Sequence, residues 1–377
     1  MAVKVCDAPT RAVATASVQL PCASAVAVPI GDADALGDAV SDLLDHPARR
    51  AALAGLGAVA AARPALAETP DTSRIPVAVS ARPIAAFEPR NPEKTRFGRL
   101  DFRSGLVLSG SHSRFGGLSG LWRGPGGTDL VAVTDNGFWL TGTLASRNSR
   151  LTGLEGAELA PILGSSGRPL HRSRYYDTES LCIADGIAYL GVERTHDVLR
   201  FDWAAEGVMA RARIVPVPRE VKRLPDNRGL EAIGVVPPGQ PLAGAIVGIA
   251  ERSGAEDEPT LGVILGRQPG LFRVIRHGGF DITDLAFLPD GDLLLLERWY
   301  RALRGVGMRI RRIPAASLKV GALLDGPALI EADLGQEIDN MEGLAVHQDG
   351  LKTVLTLISD DNFSFLQRTV LLEFALV

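Results

Sequence analysis

From about residue 78 to the C-terminus, short apolar runs alternate with turns rich in Gly, Asp and Asn. The period is that of β-strands, without the three-and-four spacing of helical repeats. One such run, Leu293 to Arg301 (LLLLERWYR), reads as a buried strand that ends in an adjacent acid and base. The same ending closes two upstream runs, at Glu193-Arg194 and Glu251-Arg252. Around these endings a longer unit recurs: a small or acidic residue opens an apolar strand, a turn follows, and a second apolar strand ends in an acid. Its copies begin near Gly117, Asp177, Asn227, Asp281 and Asp339. Aligning Ser119, Glu179, Glu231, Asp284 and Glu342 gives spacings of 60, 52, 53 and 58 residues.

A period of that length made of short strands is the signature of a β-propeller blade. In the second copy the four strands are expected at 179–184, 186–194, 197–203 and 210–217. The fifth copy supplies only three, so its outer strand is expected from Gly98–Gly110, which would close the ring and remove the open sheet edge. The fold class is therefore all-β, a β-propeller of five four-stranded blades, with a sixth built partly from residues 78–110 as the alternative. The propeller is expected to occupy 78–377.

Residues 1–77 form an extension of different composition, rich in Ala, Val and Leu. Within it, Arg49-Arg50, the apolar run Ala51–Ala62 and Ala65-Leu66-Ala67 have the order of a twin-arginine signal peptide at about 49–67, which implies a periplasmic or secreted protein. The run is too short to span a membrane. The competing reading makes Asp32–Ala54 an amphipathic helix, and the protein then stays in the cytoplasm.

Strands one and two of a blade are antiparallel, so the start of one and the end of the next meet at the same mouth of the channel. The first ring would hold Ser119, Glu179, Glu231, Asp284 and Glu342; the second, Asp135, Glu193, Glu251, Glu297 and Asp360. So many carboxylates repel one another unless cations neutralise them. Arg194, Arg228, Arg252 and Arg298 are at hand, and a hard divalent ion, Ca²⁺ first among them, suits oxygen donors. The expected metal ligands are Asp135, Glu179, Glu231, Asp284 and Glu342. Glu193, Glu251, Glu297 and Asp360 are the expected catalytic carboxylates, with the four arginines binding substrate. The alternative is that each Glu-Arg pair only ties a blade to its neighbour.

The blade motifs, with Leu357–Ser364 (LISDDNFS) and Gln367-Arg368-Thr369, resemble the phytase-like propeller family described as having esterase-like activity, over roughly 95–377. The resemblance implies hydrolysis of phosphate or carboxylate esters, and export. A metal-assisted phosphoesterase acting as a monomer on a small, phosphorylated molecule is the leading expectation, and a non-catalytic binding propeller the alternative. A serine esterase is less well supported: Gly117-Leu118-Ser119-Gly120-Leu121 lacks the last glycine of a nucleophile elbow. A net charge of −4 argues against nucleic acid as the partner. Cys6, Cys22 and Cys182 have no metal-ligand spacing, and Cys182 reads as a small buried hydrophobe.

Overall fold

The computed structural model describes residues 71–377, apart from 227, 256–257 and 302–304. Of the first 70 residues only the strands Lys4–Val5, Thr15–Val18 and Val26–Pro29 are described, paired as a small antiparallel sheet in a separate unit. The proposed signal segment and the alternative helix lie outside the described residues.

The larger unit is a five-bladed propeller. Its innermost strands are Leu118–Arg123, Thr178–Ala184, Leu230–Val235, Asp281–Phe287 and Asn340–Asp349. Each packs beside the next around the axis, and the fifth returns to the first. In the second blade the remaining strands are Ile187–Val192, Asp197–Asp202 and Arg213–Val215, each antiparallel to its neighbour.

The core follows from this arrangement. Successive side chains of a strand point to opposite faces, and each blade is sandwiched between two others, so both faces are buried. Leu293 and Leu295 pack with Ala232, Val247 and Ile249 of the third blade. Leu294 and Leu296 pack with Met341, Leu344 and Leu357 of the fifth. The run of four leucines is thus two alternating sets of contacts. The remaining three apolar clusters fill the other interfaces between blades.

Closure is as the strand count requires. Leu100–Gly110 pairs antiparallel with Thr369–Leu376 and completes the fifth blade. Val79–Pro83 adds to the outer side of that strand, so this segment extends the fifth blade and builds no sixth. Ile75–Pro76 pairs instead with the outer strand of the first blade. Deeper in the same seam, Arg123 of the first blade reaches Glu373 and Thr356 of the fifth at 2.8 and 2.7 Å. Removing residues 71–110 is expected to expose the edge of Thr369–Leu376 and cause aggregation on size-exclusion chromatography. A shortened chain that elutes as a compact monomer would show that the strand is dispensable.

At the end of the channel away from the mouth, Cys182 lines a small cavity with Leu121, Ile233, Leu285 and Leu344 and the charged Arg123 and Asp185. It is half-buried, less enclosed than its sequence context suggests, and burial pushes its thiol up to about 12. Among the described residues no helix is long and apolar enough to cross a membrane.

Candidate functional site

Every innermost strand carries the same irregularity near its start. The ladder to the second strand skips one residue: Ser119, Glu179, Glu231, Thr283 and Glu342. Such a β-bulge turns an extra side chain out of the ladder, and bulges are frequent beside active sites. In the second, third and fifth blades that side chain is a glutamate. In the first and fourth it is a hydroxyl, and it bonds to the next blade: Ser119 donates to the Thr178 carbonyl and Thr283 to that of Met341.

The fourth blade departs from the expected register by one residue. Thr283, not Asp284, occupies the bulge. Asp284 falls where the other blades have Gly120, Ser180, Ala232 and Gly343. These residues are small because neighbouring inner strands approach closely; a Cβ on Gly120 would lie 2.7 Å from the Leu181 nitrogen. Asp284 is fully buried there and accepts hydrogen bonds from the backbone N–H groups of Leu285 (2.8 Å) and Leu344 (2.7 Å). It is a tie between blades, and burial raises its pKa well above the usual range.

The second strands show the same shift. Thr134, Val192, Ala250, Glu297 and Ser359 each pair with the residue before the bulge. The next position, facing the mouth, is Asp135, Glu193, Glu251, Arg298 and Asp360. Glu297 therefore turns away from the mouth. Fully buried, it accepts from Arg309 Nε at 2.6 Å and from Arg311 Nε at 2.9 Å. Where the other four blades present an acid to the mouth, the fourth presents Arg298. A slip of one residue moves a side chain to the opposite face of a strand, and here it exchanges the roles of the two members of the pair.

The mouth is a cavity of about 660 Å³ lined by Asp135, Glu179, Glu193, Glu231, Glu251, Asp339, Glu342 and Asp360, with Arg298 as its lining arginine. The structure thus brings most of the expected carboxylates together and leaves out Glu297 and Asp284. Arg298 Nε lies 3.0 Å from Glu342, Nη2 lies 3.6 Å from Glu251, and Nη1 donates to Asn340 Oδ1 at 3.0 Å. Asp339, at the rim, is 3.4 Å from Arg368.

Of the other expected substrate-binding arginines, Arg194 is half exposed, 3.0 Å from Asp177 and stacked on Tyr176. Arg252 grips Asp281 of the next blade, with Nε 3.0 Å from Oδ1. Arg228 acts through its charge, which weakly opposes the burial that raises the pKa of Glu251.

Electrostatics follow from the geometry. Burial, reinforced by Asp360 and Glu342, pushes Asp135 up to about 8. Burial also pushes Glu342 up to about 8, although Arg298 opposes it, and Asp360 up to about 6 against the backbone hydrogen bond from Asn362. Burial and neighbouring acids raise Glu179 and Glu231 well above the carboxylate range, and burial raises Glu193 and Glu251. Such a site holds protons or cations at neutral pH. Among the described residues, Asp177, Glu179 and Glu193 form a cluster whose ligand oxygens lie within 4.8 Å of one another. Asp177 was not among the expected ligands; its place just before the bulge, next to the acid at the end of the second strand, was the available signal.

A family model described as phytase-like, esterase-like activity of phytase, matches residues 113–363, a span that contains the innermost strands of all five blades. The chain belongs to this family. No curated protein matches the chain. Among solved structures, the PQQ-bound aldose sugar dehydrogenase of Streptomyces coelicolor is similar at 13% identity, over 82% of this chain and 100% of that one, with a TM-score of 0.36. A nidogen/laminin complex matches at 10% identity over 70% and 86%, TM-score 0.35. A protein of unknown function from Dyadobacter fermentans matches at 11% identity over 80% and 92%, TM-score 0.38. At that level of overlap they bear on neither the site nor the activity. What the family adds is an esterase-like description for a chain whose mouth carries this acidic cavity.

Proposed function

We propose that the protein is a metal-assisted ester hydrolase acting on phosphate esters at the propeller mouth. The observation that carries this reading is the convergence of eight carboxylates and Arg298 on one cavity in a member of this family. Asp177, Glu179 and Glu193 fit a hard divalent ion such as Ca²⁺: an ion with oxygens at about 2.3–2.6 Å can bridge oxygens up to about 5 Å apart, and theirs lie within 4.8 Å. Asp135, Glu231 and Glu342 line the cavity together with Glu179 and Glu193 and could complete the ligand set. A bound ion would supply Lewis acidity and lower the pKa of a coordinated water.

The chain supplies the rest. Asp360, at about 6, is suited to accept a proton near neutral pH. Arg298 keeps 27% of its side chain exposed and can bond phosphoryl oxygens. Glu251, already engaged with Arg298, helps hold that arginine in position. Ser119 is 2% exposed with its proton committed to a carbonyl, which weighs against a serine nucleophile.

The test is hydrolysis of p-nitrophenyl phosphate and p-nitrophenyl acetate, after chelation and with Ca²⁺ restored. Phosphatase activity that depends on the ion and falls about 100-fold or more in Glu193→Gln is the expected result. Ca²⁺ binding without turnover of either ester would leave a binding propeller. Metal-independent activity abolished in Ser119→Ala would point to covalent catalysis.

A further inference from the structure

Eleven large hydrophobic residues are exposed among the described residues, and five of them, Tyr300, Leu334, Phe363, Phe365 and Leu366, belong to segments of the fourth and fifth blades at the mouth. Tyr300, Leu334 and Leu366 line the acidic cavity itself, at 68%, 60% and 78% exposure. Phe363 covers Gly117 beside Asp135: a Cβ on that glycine would come within 2.4 Å of the phenyl ring and 3.3 Å of the carboxylate.

The segment displaying three of the five is well tied. Asp361 accepts from the backbone N–H groups of Gly117 and Phe363, both at 3.0 Å, and from the Thr369 hydroxyl at 2.9 Å. Asp360 accepts from the Asn362 N–H at 2.6 Å. Asn362 and Phe363 sit consecutively at φ 48° and 50°, in the left-handed region that costs most residues energy and tends to survive where function needs it. A loop held this firmly, yet leaving apolar side chains in water, is built to meet something apolar.

Charge narrows the class further. Arg298 is the arginine among the cavity's lining residues, a single fixed cationic contact for an anionic head group. A ligand with one charged group and an apolar body would place its head among Arg298 and the acids and its body against the rim. The cavity, at about 660 Å³, is in the usual range for a small molecule.

We propose that the ester taken at this mouth is a monoester of an apolar alcohol, an aryl or alkyl phosphate, whose body lies on the rim formed by Tyr300, Leu334, Phe363, Phe365 and Leu366. This rests on the hydrolase reading for the head group. The rim itself can be tested without turnover.

In the Ca²⁺-supplemented full chain, kcat/KM for 2-naphthyl phosphate should exceed those for glycerol phosphate and inositol hexakisphosphate by about 10-fold or more. Replacing Phe365→Ser with Leu366→Ser should remove most of that advantage, lowering kcat/KM for 2-naphthyl phosphate by several-fold more than for glycerol phosphate. In parallel, binding of 2-naphthylphosphonate, which is not hydrolysed, should weaken in the double variant by several-fold more than binding of methylphosphonate. Turnover without preference for the apolar ester, or preference for the hexakisphosphate, would overturn the rim proposal and leave the hydrolase reading intact. Naphthylphosphonate binding that depends on the rim, with no ester turned over, would support the rim and sink the hydrolase. Failure of both arms overturns both.

Discussion

Replacing Glu297 by Gln is expected to lower the free energy of unfolding by about 3–5 kcal/mol, because it removes the charge that compensates buried cations. Arg309 and Arg311 close on this carboxylate inside the fourth blade, with side-chain exposures of 7% and 1%. Their other partners do not replace it. Arg311 also reaches Asp325 at 2.7 Å, and Arg309 lies 3.6 Å from Glu331, but these acids are 43% and 59% exposed, where ion pairs contribute little. The loss should appear as a lower urea midpoint. Ca²⁺ affinity and turnover, measured on the folded fraction, should stay within about 2-fold of the parent, since the side chain does not line the cavity. A variant of normal stability that had lost its activity would return Glu297 to the site and overturn the register of the fourth blade.

The second large effect is on pH and metal together. Asp135, Glu342 and Asp360 have raised pKa values in the folded chain, so each binds its proton more tightly folded than unfolded. Their contribution to stability is fully present below the unfolded values near 4 and is lost as pH rises through the folded ones, to about 8 for the first two and about 6 for the third. Within that window each group can contribute up to about 1.4 kcal/mol per pH unit, and their mutual repulsion spreads the steps. Acids held low by partners, such as Asp325 and Asp349, act in the opposite sense at the acid end. Chelated protein should therefore be most stable near pH 5 and lose thermal stability towards pH 8. Ca²⁺ should restore it, more at pH 8 than at pH 5, with about 2.7 kcal/mol expected at one hundred times the dissociation constant. Calorimetry at pH 7 in buffers of different ionisation enthalpy should register proton release on binding. A stability profile flat from pH 5 to 8 and indifferent to Ca²⁺ would rule out a cation site here.

The propeller was legible because it is repeated. Five copies of strand, turn, strand and acid make each blade evidence for the others, and the short fifth copy predicted a closing strand within Gly98–Gly110, where Leu100–Gly110 forms it. The mouth was legible for the same reason in four blades. In the fourth, Asp281-Ile282-Thr283-Asp284 offers acids on both sides of the strand, and Glu297-Arg298 imitates the endings of Glu193-Arg194 and Glu251-Arg252. Only the bulge decides which side faces the channel, and a bulge leaves no trace in a period of two. The apolar rim was hidden for another reason: Phe363, Phe365 and Leu366 are scattered among Asp, Asn, Ser and Gln, and their shared position appears only when the loop folds against Gly117.

The seam between Leu100–Gly110 and Thr369–Leu376 also sets a schedule for synthesis. A chain emerging at about 5–20 residues per second completes the closing strand's partner roughly 13–50 s after the strand itself has been made. Four blades can form in order during that interval, but Leu100–Gly110 must wait for Thr369–Leu376. Until then its hydrogen-bonding edge is open to any strand that meets it, so the nascent protein stays exposed to misassembly at this seam until Thr369–Leu376 has emerged.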